Sequence, residues 1–186
     1  MSLILASASP RRKELLKIIT EDFLVCVAEC DETLEEGIAP KDAPVVLASK
    51  KARAVKESKP LDIVIGSDTI VLLGDKILGK PASREDAFAM LEALSGKEHS
   101  VITGCCICAG TDEITFSCET KVEFFPLTDE EINAYLDTSE PYDKAGSYGI
   151  QGIGSLFVKQ IKGDYFNVVG LPVSMLNKVL KENNLI

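Results

Sequence analysis

The sequence lacks several features that would each point to a particular class of protein. It has no tryptophan, one histidine (His99), and no apolar run near the ~20 residues that a membrane-spanning helix needs. A serine or cysteine nucleophile paired with histidine would have to use His99, which we expect at a surface loop or strand edge. The net charge of -9 disfavours binding to nucleic acids or anionic membranes, because both need a positively charged surface.

The N-terminal segment also lacks the pattern of a secretory signal. Residues 1–10 have no basic start and only a very short apolar stretch, so we expect a cytoplasmic protein. A chain of 186 residues with 46% apolar residues is short for two independent cores. We therefore predict a single domain over residues 1–186.

The six cysteines include no CxxC pair. Three disulfides are disfavoured because a chain of this size needs no covalent staple and has no secretory signal. Cys105, Cys106 and Cys108 fall in an apolar segment that is typical of a strand. We expect them to be buried, reduced thiols that behave as small hydrophobic side chains, and a metal cluster receives little weight.

The apolar pattern predicts an α/β fold with long antiparallel strands, without strict alternation of strand and helix. Predicted strands cover residues 3–6, 23–28, 61–67, 99–109 and 113–125, with hairpins over 69–78 and 156–169. Predicted helices begin near residues 10, 43, 83, 128 and 172. Residues 139–154, rich in glycine, aromatic and charged residues, are expected to form a long ordered loop.

Residues 7–12 combine features that suit a phosphate group. Ser9 is suited to cap a helix that starts at Pro10, which sets Arg11 and Arg12 in its first turn. The free N–H groups of a helix N-terminus attract anions, and guanidinium groups add forked donors that match phosphate oxygens. The alternative is a solvated pair of arginines bridged to local acidic residues.

Asp68 follows the predicted strand over residues 61–67. A carboxylate at the carboxyl end of a buried strand opens into the crevice where α/β sheets bind ligands. It can bind a divalent cation, activate water, or do both, although an aspartate that only caps a turn is an equal alternative. A single aspartate disfavours phosphatases of the haloacid-dehalogenase type, which need a DxDxT arrangement.

Weaker signals lie elsewhere in the chain. Lys80 stands between glycine and proline, whose stiff backbone would suit a phosphate contact. Lys50 and Lys51 sit on a predicted helix, where a solvated face is the default interpretation. The acidic cluster around Glu32 is either solvated or supplies a second carboxylate to a metal. Residues 140–152 form a charged, glycine-rich stretch of the kind that is usually functional in a compact domain.

Together these stretches resemble the Maf family of nucleotide pyrophosphatases. The matching segments are LASASPRRKELL, KARAV, GSDTIV, GKP, LSGKEHSVITG, and EPYDKAGSYGIQG followed by VVGLP, in the family's order over nearly the whole chain. The resemblance implies a two-lobed α/β fold of the Maf/ITPase-like kind: an elongated twisted mixed β-sheet flanked by helices, with the active cleft between the lobes. It also implies a hydrolase that splits a nucleoside triphosphate into the monophosphate and pyrophosphate, using a divalent cation (Mg²⁺ or Mn²⁺).

The resemblance also implies roles for individual residues. Asp68 corresponds to the catalytic base, and Glu32 with Asp68 to the metal-linked carboxylates. The residues that correspond to triphosphate contacts are Ser7, Arg11, Arg12, Lys51 and Lys80. Arg11, Thr69 and Gln151 correspond to the positions tied to base selectivity in the branch that acts on dTTP and UTP. Three matters stay open: a nucleotide-sensing role in cell division and septum formation, a different modified nucleotide as substrate, and a homodimer.

Overall fold

The computed structural model, which describes residues 1–27 and 29–186, is built on a mixed sheet of seven strands. The strands are β1 (Leu3–Ala6), β2 (Leu24–Val25), β3 (Ile63–Leu73), β4 (Lys76–Leu78), β5 (Glu98–Ala109), β6 (Asp112–Phe124) and β7 (Val158–Lys162). Their order is β2-β1-β3-β5-β6-β7, with β4 paired to β3. β1 runs parallel to β2 and β3, whereas the other pairings are antiparallel. This confirms the predicted mixed α/β sheet.

Helices flank this open sheet. They are α1 (Pro10–Leu16), α2 (Ala43–Ser58), α3 (Arg84–Leu94), α4 (Asp129–Leu136), α5 (Tyr165–Val169) and α6 (Val173–Glu182). The caps expected from the sequence are present, because the hydroxyls of Ser9, Ser83 and Thr128 each accept a backbone N–H three residues further on. Short 3₁₀ turns occur within the ordered loop over residues 139–154. None of the helices in the described part of the chain is long and apolar enough to cross a membrane.

Two glycines let α2 lie very close to the sheet. A Cβ atom at Gly66 of β3 would lie 2.2 Å from the carbonyl oxygen of Ala48, and one at Gly104 of β5 would lie 2.3 Å from the backbone of Pro44. Ala48 and Ala52, on the facing side of α2, are fully buried. The small residues on both sides therefore set the height of α2 above the sheet.

Buried residues form a core on each face of the sheet. On the α2 face, Val64 of β3 packs with Cys106 and Cys108 of β5, so these thiols are buried as predicted. On the opposite face, Ile65 packs against Leu16 of α1 and a wider cluster that includes α6. A further cluster surrounds the other end of β3 and β5 and contains aromatic residues. The division into two lobes with a cleft between them stays a prediction.

Three predicted elements differ from the structure. β3 continues without interruption through Asp68, which pairs with Gly104 in the middle of the strand instead of following its end. The predicted strand 23–28 is reduced to Leu24–Val25 as β2, and Ala28 lies outside the described residues. The predicted second strand of the late hairpin is the helix α5, because the carboxylate of Asp164 accepts the N–H of Phe166 and caps a helical turn.

His99 is buried, so its predicted surface position is wrong. It is 2% exposed, and its Nε2 atom lies 2.8 Å from the hydroxyl of Tyr148. Phe124 packs edge-on against the imidazole ring. Burial lowers the pKa of His99 to about 4, so the ring is neutral in the folded protein at neutral pH.

Candidate active site

A cavity of about 920 Å³ opens above the middle of β3, and it is lined by every site residue that the sequence motifs indicated. Those residues are Ser7, Arg11, Arg12, Glu32, Lys51, Asp68, Thr69, Lys80 and Gln151. The volume lies near the upper end of the ~300–1,000 Å³ that small-molecule sites occupy, so a nucleotide fits by size. The structure therefore brings residues from six separate stretches of chain to one place.

Arg12 is the most firmly held cation of the cavity. Its guanidinium group donates to the carbonyl of Gly170 at 2.8 Å and to the hydroxyl of Thr69 at 2.9 Å, with a longer contact of 3.4 Å to the hydroxyl of Ser7. Burial lowers the pKa of Arg12, and the nearby carboxylate of Asp68 opposes this shift. An arginine stays protonated under these conditions, so Arg12 provides a fixed positive charge that also joins α1, β3 and the end of α5.

Arg11 has a more exposed side chain, and its acidic partner is Asp143. Its Nη1 atom lies 3.0 Å from Oδ2 of Asp143, while Lys144 lies 2.6 Å from the other oxygen of the same carboxylate. Burial raises the pKa of Asp143, but the bonds from Lys144 and Arg11 outweigh it and the net pKa lies below the usual value. Because Arg11 is 33% exposed, it can turn from Asp143 towards a bound anion.

Lys51 and Asp68 form the best-buried ion pair that faces the cavity. Lys51 Nζ lies 2.5 Å from Oδ1 of Asp68, and each side chain is 14% exposed. The more exposed carboxylate of Glu32 lies 3.3 Å from the same ammonium group. Lys51 therefore does not belong to a solvated helix face, since the close packing of α2 directs it between two carboxylates.

Within the cavity, the two carboxylates around Lys51 could hold a metal ion. Glu32 and Asp68 offer oxygen atoms only, and the cavity is open enough for water and substrate oxygens to complete a coordination sphere. Mg²⁺ and Mn²⁺ prefer such oxygen ligands, and Mg²⁺ commonly uses one or two carboxylates together with phosphate groups. The donor set thus fits either ion.

Thr69 takes part in a short hydrogen-bond relay beneath Arg12. The hydroxyl of Thr103 donates to the carbonyl of Asn167 at 2.9 Å, so it accepts from Thr69, whose hydroxyl lies 2.9 Å away. Thr69 in turn accepts from Arg12. In this arrangement the Thr69 hydroxyl donates its proton to Thr103, so it has no proton left to donate to a ligand.

Lys80 and Gln151 are exposed members of the site, as is Glu32. Within residues 1–27 and 29–186, neither side chain has a hydrogen-bond or ion-pair partner. The loop that carries Lys80 is held in place, because the N–H of Gly146 donates to the carbonyl of Gly79 at 3.0 Å. Both side chains are thus free to contact a ligand from fixed backbone positions.

Glu140 fixes the loop that carries Gln151, and the motif comparison did not single it out. Its carboxylate accepts from the hydroxyl of Tyr135 at 3.0 Å and from the N–H groups of Ile153 at 2.8 Å and Gly154 at 3.1 Å. Burial raises the pKa of Glu140, but these backbone donors outweigh it and lower the net pKa. A Cβ atom at Gly152 would lie 2.2 Å from this carboxylate, so only glycine allows the contact.

Lys144 and Asp143 are two further cavity residues without an assigned role in the sequence analysis. Lys144 donates to the carbonyl of Glu140 at 2.6 Å and is 16% exposed, so its charge is held at the cavity wall. The signal available for both residues was the density of charge in a glycine-rich loop. That signal marked the loop as functional but did not distinguish its members.

Comparison with known proteins identifies relatives over almost the whole chain. The chain is 51% identical over 183 residues to proteins named dTTP/UTP pyrophosphatase from Bacillus anthracis and Bacillus cereus, which covers 98% of this chain and 96% of each relative. Among solved structures, it is similar to the Ham1 protein of Staphylococcus aureus, with a TM-score of 0.57 and 13% identity over 98% of this chain and all of that one. A HAM1 protein from Coxiella burnetii gives a TM-score of 0.55 at 13% identity over 97% of this chain and 98% of that one.

The two Ham1 structures share the fold of this chain. At 13% sequence identity, the similarity shows the fold alone. The model of the family described as "Maf-like protein" matches residues 2–183. With that match and 51% identity to its relatives, the chain belongs to the Maf family.

Proposed function

We propose that this protein hydrolyses dTTP and UTP to the corresponding nucleoside monophosphate and pyrophosphate. The observation that carries the proposal is the Lys51–Asp68 ion pair, which faces a nucleotide-sized cavity lined by further cations. The names of the relatives that are 51% identical give the substrate class. The proposal treats residues 1–186 as one cytoplasmic catalytic domain, and a homodimer stays a prediction.

The cations of the cavity would bind the triphosphate. Arg11, Arg12, Lys51 and Lys80 line the same space in a protein whose net charge is -9. Guanidinium groups suit bidentate contact with phosphate oxygens, and lysines act as compact point charges. Arg12 is fixed by its own hydrogen bonds, whereas Arg11 and Lys80 can move onto the ligand.

Asp68 is the proposed general base. It accepts a proton from a water molecule whose oxygen attacks the α-phosphorus in line with the leaving group. The bond between the α-phosphorus and the bridging oxygen breaks, and its electron pair leaves with pyrophosphate. Lys51 holds Asp68 in position, and the surrounding cations neutralise the charge that develops on the phosphate oxygens.

Glu32 and Asp68 would hold the divalent cation that the family resemblance implies. When bound, Mg²⁺ or Mn²⁺ would supply charge neutralisation and orientation of the phosphate oxygens. Lys51 already offsets one of the two negative charges of these carboxylates, so either ion would enter together with the negatively charged substrate.

Gln151 is proposed to read the base. A carboxamide carries one acceptor and two donors, so it can pair with the adjacent carbonyl and N–H of uracil or thymine. The loop that carries Gln151 is anchored by Glu140, which sets the position of its amide. Cytosine offers an acceptor and an amino group instead, so the same pairing would need the amide to flip.

A pyrophosphate-release screen of the purified protein tests the function. We expect monophosphate and pyrophosphate from dTTP and UTP at rates above those for CTP, GTP and ATP, with Mg²⁺ or Mn²⁺ present. EDTA should abolish turnover, and added Mg²⁺ or Mn²⁺ should restore it. Tight triphosphate binding without turnover would favour the nucleotide-sensing alternative, and a preference for a modified nucleotide would replace the substrate.

A further inference from the structure

Two thiols and a carboxylate meet outside the cavity, under helix α2. The sulfur atoms of Cys106 and Cys108 lie 3.8 Å apart. One carboxylate oxygen of Glu113 joins them, and the three atoms all lie within 4.8 Å of one another. None of these residues lines the cavity, so the cluster belongs to no part of the proposed nucleotide site.

Strand pairing creates this cluster. Cys106 and Cys108 are two residues apart in β5 and therefore point to the same face of the sheet. Glu113 of β6 pairs directly with Cys108 across the strands, which brings its side chain beside the thiols. Metal sites are commonly recognised by CxxC spacing, and its absence here is why a metal cluster received little weight from the sequence alone.

The separation of the sulfur atoms suits a tetrahedral metal ion. Zn–S bonds of about 2.3 Å at a tetrahedral angle hold two sulfur atoms roughly 3.8 Å apart. We propose that Cys106, Cys108 and Glu113 bind one Zn²⁺ ion, with the fourth position left to water. Thiolate ligands select Zn²⁺ over Mg²⁺ and Mn²⁺, which prefer oxygen, so this ion would differ from the one proposed for the cavity.

A disulfide is the competing chemistry for this pair, and the strand geometry disfavours it. Residues two apart in an extended strand are separated by roughly 6–7 Å, since each residue rises ~3.3 Å. A disulfide needs Cβ atoms about 3.5–4.5 Å apart, so it would require the strand to distort. β5 is regularly paired on both sides of Cys106 and Cys108, which resists that distortion.

The charges around the cluster balance those of the proposed complex. Binding replaces the two S–H protons with Zn–S bonds and releases those protons to solvent. Two thiolates and one carboxylate would leave the Zn²⁺ complex with one negative charge. Arg53 offsets it, because its guanidinium group donates to both oxygens of Glu113 at 2.8 and 2.7 Å.

The structure leaves an entry path to the cluster for a metal ion. The thiols themselves are buried, at 0% and 5% exposure. The side chain of Glu113 is 30% exposed, so the ion can enter from the side of β6.

Titration with Co²⁺ as a spectroscopic substitute for Zn²⁺ tests the site in the full-length protein without nucleotide. We expect one equivalent of Co²⁺ to give a thiolate-to-cobalt charge-transfer band and tetrahedral visible bands, and Zn²⁺ to displace it. Co²⁺ held only by the cavity carboxylates would give no thiolate band. If the wild-type protein, first stripped of metal, develops no thiolate-to-cobalt band when Co²⁺ is added, the proposal is overturned.

Variants identify the ligands. C106A and C108A should abolish the band, and E113Q should weaken affinity at least ~10-fold, since even loss of an outer partner costs about 10–100-fold. C118A and E123Q are the matched controls: Cys118 is a partly exposed cysteine, and Glu123 is an ion-paired β6 glutamate 27% exposed. E113Q keeps the test decisive if a cysteine variant fails to fold. Wild-type affinity in E113Q, or an unchanged band in C106A, would contradict the ligand set.

Discussion

The 2.5 Å contact between Lys51 Nζ and Asp68 Oδ1 joins helix α2 to the middle of strand β3. It exists because α2 lies so close to the sheet that Gly66 has no room for a side chain. With each side chain 14% exposed, the pair is screened less by solvent than a surface ion pair. The position of the proposed base therefore depends on how closely α2 packs against the sheet.

The first prediction tests this coupling. Gly66→Ala would set a Cβ atom 2.2 Å from the carbonyl oxygen of Ala48, so α2 must move away from the sheet. We expect a loss of about 1–3 kcal/mol in the free energy of unfolding, as for other overpacked cores, and a lower kcat. Urea unfolding and steady-state kinetics measure both. For stability, Gly79→Ala is the control, since its Cβ would meet no atom within 4 Å; equal stability of the two variants would refute the packing argument.

The second prediction concerns Lys80. Lys80→Ala should raise KM for UTP by about 10-fold or more, since a hydrogen bond to a charged group is worth about 1.5–3 kcal/mol. The melting temperature should stay unchanged, because an exposed lysine contributes little to folding. Lys76→Ala, at an equally exposed position in β4, should change neither quantity. A lower melting temperature with normal KM would make Lys80 a structural residue.

The third prediction concerns base choice. Gln151→Ala should lower kcat/KM for UTP and dTTP and narrow their advantage over CTP and GTP by roughly 10- to 100-fold, the equivalent of about 1–3 kcal/mol for an unpaired polar edge. Gln160→Ala, an exposed glutamine on β7, is the control. The ratio of kcat/KM values across the four nucleotides is the measurement. An unchanged ratio, or a wild-type preference for a purine, would remove Gln151 from base recognition.

The fourth prediction follows from the buried histidine. The unfolded chain protonates His99 near pH 6.5, whereas burial holds the folded pKa at about 4. Between these values the unfolded state binds more protons, so stability falls as the pH decreases from 6.5 towards 4. We expect His99 to lower the free energy of unfolding by about 2 kcal/mol between pH 7 and pH 5. Urea unfolding of wild type and His99→Gln at both pH values measures this, and an equal pH dependence would contradict it.

Local motifs indicated several members of the cavity, because these lie next to a helix cap, a turn or a strand that the sequence marks, whereas Lys51, in the middle of α2, was assigned only through the family resemblance. Ser9 and Pro10 define the start of α1 and hence the position of Arg11 and Arg12. The resemblance to one family then connected stretches far apart in the chain. Their convergence on one cavity depends on the sheet order, which no single stretch encodes.

Features that depend on pairing between distant segments could not be predicted. Asp68 looked like the end of a strand because a charge interrupts an apolar run, but β5 supplies a partner that lets β3 continue. His99 is enclosed by Tyr148 and Phe124, which lie far away in sequence. Residues 165–169 have a strand-like composition, yet the cap at Asp164 favours a helix.

The fifth prediction separates chemistry from binding at Asp68. Asp68→Asn keeps the size of the side chain and removes the charge that accepts a proton. Pyrophosphate release from UTP and dTTP should fall at least ~100-fold, the lower range for loss of a general base. Calorimetric affinity for a non-hydrolysable UTP analogue should stay within a few-fold of wild type, and Asp75→Asn in the exposed turn after β3 should behave as wild type. Turnover of Asp68→Asn close to the wild-type rate would show that Asp68 is not the base.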